Sequence, residues 1–208
     1  PSKSRFSGIQ YCSYFLINEN LKFTEDSVTE FKFSNKWPLE MGLFNKIFET
    51  ICGMLNNRGG RIFLGVFDAT SKNDYQVKGL KLDPKEKDEL ILNFTSEIEK
   101  FEPKIESGVD FKIAYLPVLD SSTMKEIESL YVVKLIIKPP KMDKVYIYKD
   151  NIVKIRGEGK NINLNMNELV NFAKEREKKN SGVDINTDFD DVEPLIVLDK
   201  NYVNYILS

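Results

Sequence analysis

Leu55–Asp68 reads LNNRGGRIFLGVFD, and its pattern is the clearest indication of the fold in this sequence. Gly59 and Gly60 end its polar first part, and glycine suits the left-handed backbone at which many helices stop. Arg61–Phe67 is a short, nearly continuous apolar run, which is typical of a buried strand. Asp68 comes directly after that run, so we expect its carboxylate at the end of the strand. The two glycines predict a backbone turn rather than a phosphate cradle, because a strand and not a helix follows them.

The residues before this stretch predict a strand followed by a helix. Ser27–Phe33 (SVTEFKF) alternates apolar and polar side chains, as a half-buried strand does. Pro38 then opens a helical pattern that ends at Asn56. Its apolar residues recur at three- and four-residue spacing, namely Leu39, Met41, Leu43, Phe44, Ile47, Phe48, Ile51, Met54 and Leu55.

The residues after it predict further strands and two more helices. One helix spans Pro84–Lys100, and Asn165 caps another that reaches about Lys178. Strands are predicted at Gln76–Leu80, Val109–Leu119, Leu130–Lys138, Val145–Tyr148 and Ile152–Ile155. This order predicts an α+β (mixed α/β) fold, a single lobe in which helices flank a mixed sheet. We place that domain at residues 22–179, after an N-terminal extension (1–21) and before an acidic linker and apolar C-terminal segment (180–208).

The net charge of −2 is unevenly distributed along the chain. Residues 181–208 contain six acids and one base, so residues 1–180 carry a net charge of +3. A mildly basic body is compatible with binding a polyanion such as nucleic acid. On charge alone, an ordinary solvated surface with an acidic end is the favoured interpretation.

The absence of histidine excludes several kinds of active site. A Ser-His-Asp triad or a Cys-His pair cannot form within this chain. Two cysteines, Cys12 and Cys52, are too few for the usual structural zinc site. Acid–base or metal chemistry therefore has to come from carboxylates, lysine, tyrosine or bound water. Two cysteines without a secretory signal predict free thiols and a cytoplasmic location, and no apolar run approaches the ~18–20 residues that cross a bilayer.

Three features occur in a fixed order along the chain. Glu25–Phe33 reads EDSVTEFKF, Leu55–Asp68 follows, and Val153–Gly159 reads VKIRGEG shortly before the helix at Asn165. Together they resemble the Schlafen core domain and its bacterial AlbA_2 relatives. Those families carry an E-S-x-x-x-E-F-K stretch, an N-x-x-GG-x-hhhGV-x-D block and a late strand reading Y-h-R-x-G-S. The resemblance covers roughly residues 22–178.

The resemblance implies a set of catalytic residues. Nuclease members of the family use three acids, and the matching positions here are Glu25, Glu30 and Asp68. These acids would hold Mg²⁺ or Mn²⁺, which polarises a phosphate and lowers the pKa of bound water. Acids clustered in this way repel one another when the metal is absent. Each acid also has a plainer interpretation: Glu25 as a surface acid with Asp26 as a rival ligand, Glu30 on the wet face of a strand, and Asp68 as a turn former.

Basic and aromatic residues near these motifs are candidates for contacts with RNA. Lys32 alternates with Glu30 and therefore points to the same face, where it would contact phosphate or offset the acids. Its plainer interpretation is an ion pair with a neighbouring acid. Phe31, Phe33 and Trp37 could stack on bases, although core packing is the favoured interpretation. The candidates for RNA backbone contacts are Lys32, Arg58, Arg61, Lys154, Arg156 and Lys160.

The sequence departs from the family pattern in two places. Glu158 stands where the late motif has serine, which adds a negative charge. No Cys/His cluster matches the zinc site of animal Schlafens. Animal Schlafens also build two related lobes in one chain, whereas this chain has room for one. That difference implies a homodimer or a heteromer with another Schlafen-like subunit.

The predicted function is that of a metal-dependent endoribonuclease acting on structured RNA, either tRNA-like or a small-RNA precursor. The alternative is a non-catalytic nucleic-acid-binding or scaffold subunit of a Schlafen-type assembly. The apolar segments Pro194–Leu198 and Tyr202–Leu207 are expected to pack on the domain or to dock a partner.

Overall fold

The computed structural model describes residues 14–69, 74–139, 144–149 and 152–180. These residues form three helices and twelve strands. The helices are α1 (Met41–Leu55), α2 (Pro84–Ile98) and α3 (Met166–Asn180). The strands are β1 (Phe15–Leu16), β2 (Thr29–Lys32), β3 (Gly60–Leu64), β4 (Val66–Ala69), β5 (Asp74–Val77), β6 (Leu80–Lys81), β7 (Phe101–Glu102), β8 (Phe111–Leu119), β9 (Glu126–Ile137), β10 (Ile147–Tyr148), β11 (Lys154–Arg156) and β12 (Asn161–Asn163).

Six strands form a mixed sheet in the order β1–β8–β9–β3–β2, with β6 paired to β9. The pairs β1–β8 and β2–β3 are parallel, and the pairs that involve β9 are antiparallel. One face packs against α1 and α2 through a core that includes Ile62 and Leu64. The other face carries a second core that includes Phe31 and Phe63. This arrangement confirms the predicted α+β class, and it leaves β2 at one edge of the main sheet.

The first described residues belong to the folded body. β1 pairs with β8, and Phe15 is buried beside Phe63 with a distance of 6.1 Å between ring centroids. The Leu21 N–H donates a hydrogen bond to the Tyr75 carbonyl at 2.8 Å. The boundary that we placed before Lys22 therefore does not coincide with a break in the structure.

The strand predicted at Arg61–Phe67 is wrong in one respect, because Gly65 divides it into β3 and β4. Gly65 has a φ of +100°, and a Cβ there would lie 2.8 Å from the backbone of Gly79. Its N–H donates to the Lys32 carbonyl at 2.8 Å, which brings the break next to the end of β2. The chain then leaves the main sheet, and β4 pairs with β5 instead. Asp68 therefore lies within a separate hairpin and not at the end of β3.

The helices confirm the predicted patterns. Asp83 and Glu86 form a capping box at the start of α2, and Asn165 and Glu168 exchange the same two hydrogen bonds at the start of α3. The first helix begins at Met41, three residues after Pro38. The strand predicted at Gln76–Leu80 is divided between β5 and β6, and the ends of the other strands differ from the predictions by up to four residues. The short strands β1, β7 and β12 were not predicted.

Two further predictions concern the thiols and the membrane. Cys52 is a buried free cysteine, and burial raises the pKa of its thiol to about 11. Cys12 and the apolar C-terminal segments lie outside the described residues. Among the helices that are described, none has both the length and the apolar character that a membrane span requires.

Candidate active site

The predicted site lies along the outer edge of β2. An edge strand has backbone groups that point away from the sheet and need partners. The Glu25 carboxylate accepts a hydrogen bond from the Phe31 N–H at 2.9 Å. Lys32 Nζ donates to the Phe31 carbonyl at 3.1 Å, and Arg156 Nη2 donates to the Thr29 carbonyl at 3.2 Å. Three charged side chains thus close the edge that another strand could otherwise pair with.

Glu30 is buried between two cations. It is 4% exposed, its Oε1 accepts a hydrogen bond from Lys32 Nζ, and its Oε2 pairs with Arg156 Nη2. The contact with Lys32 confirms that the two residues share a face of β2. We expected a group of acids that repel one another, but Glu30 is neutralised by an ion pair on each oxygen. Its environment in this arrangement stabilises the carboxylate.

Arg156 connects the β11–β12 hairpin to β2 and is 2% exposed. Its guanidinium also donates to the Asp26 carbonyl at 3.2 Å and to Asn161 Oδ1 at 3.4 Å. Burial lowers the pKa of Arg156, and the charges of Glu25, Asp26 and Glu158 oppose that shift. The sequence suggested a contact with the RNA backbone, but a guanidinium enclosed in this way presents no surface to a phosphate. Arg156 therefore has a structural role, because it joins the β11–β12 hairpin to the edge of β2.

Glu25 and Asp68 lie far apart in sequence, yet both act electrostatically on the same two side chains. Burial lowers the pKa of Lys32, while the charges of Glu25 and Asp68 both oppose that shift. Burial raises the pKa of Tyr75, and the same two carboxylates raise it further. Both acids therefore act on the same lysine and the same tyrosine. Asp68 is exposed and Glu25 is half-buried, so this side of the site is open to solvent.

Tyr75 is a site residue that the sequence did not reveal. It lies opposite Asp68 in the β4–β5 register and is 6% exposed. Its ring packs on Phe31 with 4.6 Å between centroids, and its hydroxyl is hydrogen-bonded to the backbone of Glu25. Tyr75 thus links the Glu25 loop, β2 and the Asp68 hairpin. None of the three motifs includes this residue, and its importance follows only from the pairing of β4 with β5.

The donor atoms do not form a preorganised metal site. Within the described ranges, no group of three or more Asp, Glu, Cys or His side chains is arranged to hold a metal ion. Glu25 binds a backbone N–H, and both oxygens of Glu30 are engaged by Lys32 and Arg156. The ligand type suits Mg²⁺ or Mn²⁺, which prefer carboxylate oxygens. As they are placed, the three acids do not share a metal position, because each oxygen of Glu30 pairs with a cation.

The other basic candidates differ in how much of the side chain is available. Arg58 follows α1 and Lys160 lies in the turn between β11 and β12, and both are exposed. Lys154 is half-buried and pairs with Glu49 at 3.1 Å. Arg61 is half-buried at the start of β3. Arg58 and Lys160 are therefore the two of this set that extend farthest into solvent.

The aromatic candidates are divided between the core and the surface. Phe31 and Trp37 are buried, which confirms the core interpretation for both. Phe33 is half-buried and contacts Phe67 edge to face at 5.2 Å between centroids. Gly59 has a φ of +72°, and its N–H donates to the Met54 carbonyl at 2.9 Å. The two glycines after α1 therefore form the predicted turn.

Comparison with known proteins identifies the family. A sequence model of the family described as Schlafen, AlbA_2 matches residues 25–165. No curated protein matches the chain at a significant level. The family match begins at Glu25 and ends at the cap of α3, so it contains all three acids and the β11–β12 hairpin that supplies Arg156. Because the match covers well over half of the sequence, the chain belongs to the Schlafen AlbA_2 family.

Proposed function

We propose that this chain is a metal-dependent endoribonuclease that cleaves structured RNA, either tRNA-like or a small-RNA precursor. Glu25, Glu30 and Asp68 are the acids of the proposed site. The observation that supports the proposal best is that the match to the Schlafen, AlbA_2 family contains all three acids, of which Glu25 and Asp68 both lie within electrostatic range of Lys32. The family match contains Glu25, Glu30 and Asp68, and covering the edge of β2 does not by itself require Asp68.

The proposed metal is Mg²⁺ or Mn²⁺, which when bound neutralises charge on the phosphate and lowers the pKa of a bound water. Glu25, Glu30 and Asp68 would hold it, and that requires one partner to leave Glu30. Lys32 is the partner that can leave, because it is half-exposed on a flexible stem. Arg156 is held by three further hydrogen bonds, to Asp26, Thr29 and Asn161.

The proposed assembly has RNA and a second protein subunit as partners. The described residues form one lobe, and two-lobed family members enclose RNA from two sides. We therefore expect a homodimer, or a heteromer with another Schlafen-like subunit, to complete the RNA-binding surface.

A second candidate function is that of a non-catalytic RNA-binding or scaffold subunit. The ion pairs of Glu30 with Lys32 and Arg156 favour it, because they give this buried acid a structural task that needs no metal. In that case Glu25 and Glu30 only bind partners at the edge of β2, and the exposed basic residues make the contacts with RNA.

The variant that separates the two functions is Asp68→Asn. Asp68 is exposed, so the substitution is expected to change the free energy of unfolding by no more than about 0.5 kcal/mol. Under the nuclease proposal, cleavage of a tRNA panel with Mn²⁺ or Mg²⁺ falls about 100-fold, the order observed when one electrostatic group of a site is removed. Asp88→Asn is the matched control, since Asp88 is an exposed acid on α2.

The results of this assay distinguish the two candidate functions. EDTA is expected to stop cleavage by the wild-type chain, and Asp88→Asn is expected to cleave normally. Cleavage that survives EDTA, or equal rates for Asp68→Asn and Asp88→Asn, contradicts the metal-dependent site. RNA binding without any cleavage, under every metal condition, supports the non-catalytic candidate instead.

A further inference from the structure

A basic cleft lies where β3 begins and β9 ends, and none of its basic residues was among the predicted RNA contacts. Its charged lining consists of Lys104, Lys138, Lys144 and Asp110. Lys104 lies in the connection after β7, whereas Lys138 and Lys144 both lie in the connection between β9 and β10, so two connections supply the three ammonium groups. The rest of the lining is Leu55, Pro139 and Tyr146.

Backbone packing fixes the position of this cleft. The turn after α1 lies so close to the end of β9 that a Cβ on Gly59 would be 2.6 Å from the Ile137 carbonyl oxygen. The exposed Arg58, which directly precedes Gly59, therefore lies beside the start of the Lys138 connection. On the other side, the Lys138 N–H donates to the Asp110 carbonyl at 2.9 Å. Arg176 of α3 donates to the Lys144 carbonyl and holds that connection in place.

The charges in the cleft are not balanced. Among the described residues, neither Lys138 nor Lys144 has an ion pair with a carboxylate. Lys104 Nζ donates to the Glu99 carbonyl, which carries no net charge. The Asp110 carboxylate accepts a hydrogen bond from the Glu106 N–H at 3.0 Å. Among the described residues, three lysines and one aspartate thus line the cleft, and such an excess of positive charge attracts a polyanion.

The cleft is near the acids when measured across the sheet. Thr29 of β2 lies opposite Arg61 of β3, and Arg61 lies opposite Ile136 of β9. Two strand spacings of ~4.8 Å therefore separate the start of β2 from the end of β9, which is about 10 Å. Glu30 and Lys138 lie close to these two points. A single RNA strand can span both.

We infer that this cleft, with Arg58 at its rim, binds the phosphodiester backbone of RNA beside the segment that reaches the acids. The identity of the RNA as a substrate rests on the proposed function, but binding to the cleft does not. Lysine ammonium groups suit this task because they recognise phosphate as point charges without reading sequence.

The test replaces Lys104, Lys138 and Lys144 together by glutamine in the full chain. The matched control replaces Lys81, Lys85 and Lys125, which are exposed lysines at the other end of β9 and α2. Both triple variants lose the same charge. Binding of a fluorescent RNA hairpin with a single-stranded loop is measured by anisotropy in EDTA, over a series of salt concentrations. The absence of divalent metal separates binding from cleavage.

We expect the cleft variant to bind RNA at least 10-fold more weakly at low salt. The slope of log K against log salt is expected to fall by about 2–3, since each phosphate contact contributes about 0.7–0.9. The control variant is expected to bind like the wild type. In the wild type, RNA is also expected to protect the three cleft lysines from acetylation more than the three control lysines, and that measurement does not depend on how the variants fold.

Equal losses in the two triple variants, or equal acetylation of both sets with and without RNA, overturn the cleft proposal. Such a result leaves the nuclease proposal intact, because that is decided by the Asp68→Asn cleavage assay. If the cleft binds RNA but the chain does not cleave it, only the nuclease proposal is contradicted.

Discussion

Arg156→Met is the substitution that most directly tests the interpretation of the β2 edge. Methionine keeps much of the volume but removes the guanidinium, which pairs with Glu30 and donates to the carbonyls of Asp26 and Thr29. Each lost hydrogen bond costs about 1 kcal/mol. Removing one partner of a buried ion pair costs roughly 3–5 kcal/mol in total, since Glu30 is 4% exposed and retains only Lys32. We therefore expect the free energy of unfolding to fall by about 4 kcal/mol.

The measurement is urea denaturation followed by fluorescence, together with a thermal melt. For a chain of this size, about 4 kcal/mol corresponds to a decrease in Tm of ~8–16 °C. Lys160→Met is the control, because Lys160 is an exposed cation in the turn of the same hairpin. The double variant Glu30→Met/Arg156→Met is expected to be less destabilised than the sum of the single variants, as for contacting partners. A loss of unfolding free energy below about 0.5 kcal/mol for Arg156→Met contradicts this structural role of Arg156. Additive effects in the double variant contradict it as well.

Two further substitutions test the positioning of the acids and the electrostatics of the core. Tyr75→Phe keeps the ring on Phe31 but removes the hydroxyl beside Glu25, so it is expected to lower the cleavage rate with a stability loss of about 1 kcal/mol. Tyr115→Phe, which loses a comparable hydrogen bond on the distant β8, is expected to lose stability alone; equal rates for the two variants contradict the positioning role. For Glu97→Gln we expect a stability loss of about 2 kcal/mol at pH 7. The difference from the wild type should shrink as the pH falls from about 4.5 toward about 2. Burial raises the pKa of Glu97, but hydrogen bonds outweigh that effect and hold it at about 2, so the carboxylate stabilises the fold above its ordinary pKa and stops doing so as it protonates. A pH-independent difference in unfolding free energy contradicts the assignment of those hydrogen bonds, which come from Lys100, Lys149 and Tyr148.

The parts of the fold that the sequence predicts well depend on local interactions. α2 begins at Pro84 because Asp83 and Glu86 exchange hydrogen bonds within one turn, and the spacing of Leu90, Phe94 and Ile98 defines its buried face. Both signals lie inside one segment of sequence. The predicted helix therefore differs from α2 only at its C-terminal end.

The break at Gly65 shows what local patterns leave out. The apolar run continues through Val66 and Phe67, so nothing in its composition divides β3 from β4. The break follows from the close approach of Gly79 and from the hydrogen bond to Lys32, both of which depend on tertiary structure. A single glycine in a strand pattern indicates such an approach. The identity of its partner cannot be read from the sequence.

In the candidate site, too, the sequence predicts individual residues but not the contacts between them. The motifs identified Glu25, Glu30 and Asp68, but an ordered set of motifs carries no information about which charges pair. Glu30 and Arg156 come from the first and the last motif, and their ion pair depends on the docking of the β11–β12 hairpin against β2. Tyr75 belongs to no motif and is found only through its register with Asp68.

The position of Glu30 affects how an inactive variant should be interpreted. A substitution at Glu30 removes a proposed catalytic acid and also leaves Lys32 and Arg156 facing each other at the buried edge of β2. Glu30→Gln is thus expected to weaken RNA binding under both candidate functions, because it disturbs the edge of β2. Under the nuclease proposal it also lowers the cleavage rate, so a loss of function at Glu30 does not distinguish the two. Asp68 is exposed on a hairpin outside the main sheet, and its charge contributes to the site without holding the edge. Activity that depends on Asp68 while stability does not is therefore the observation that only a catalytic site produces.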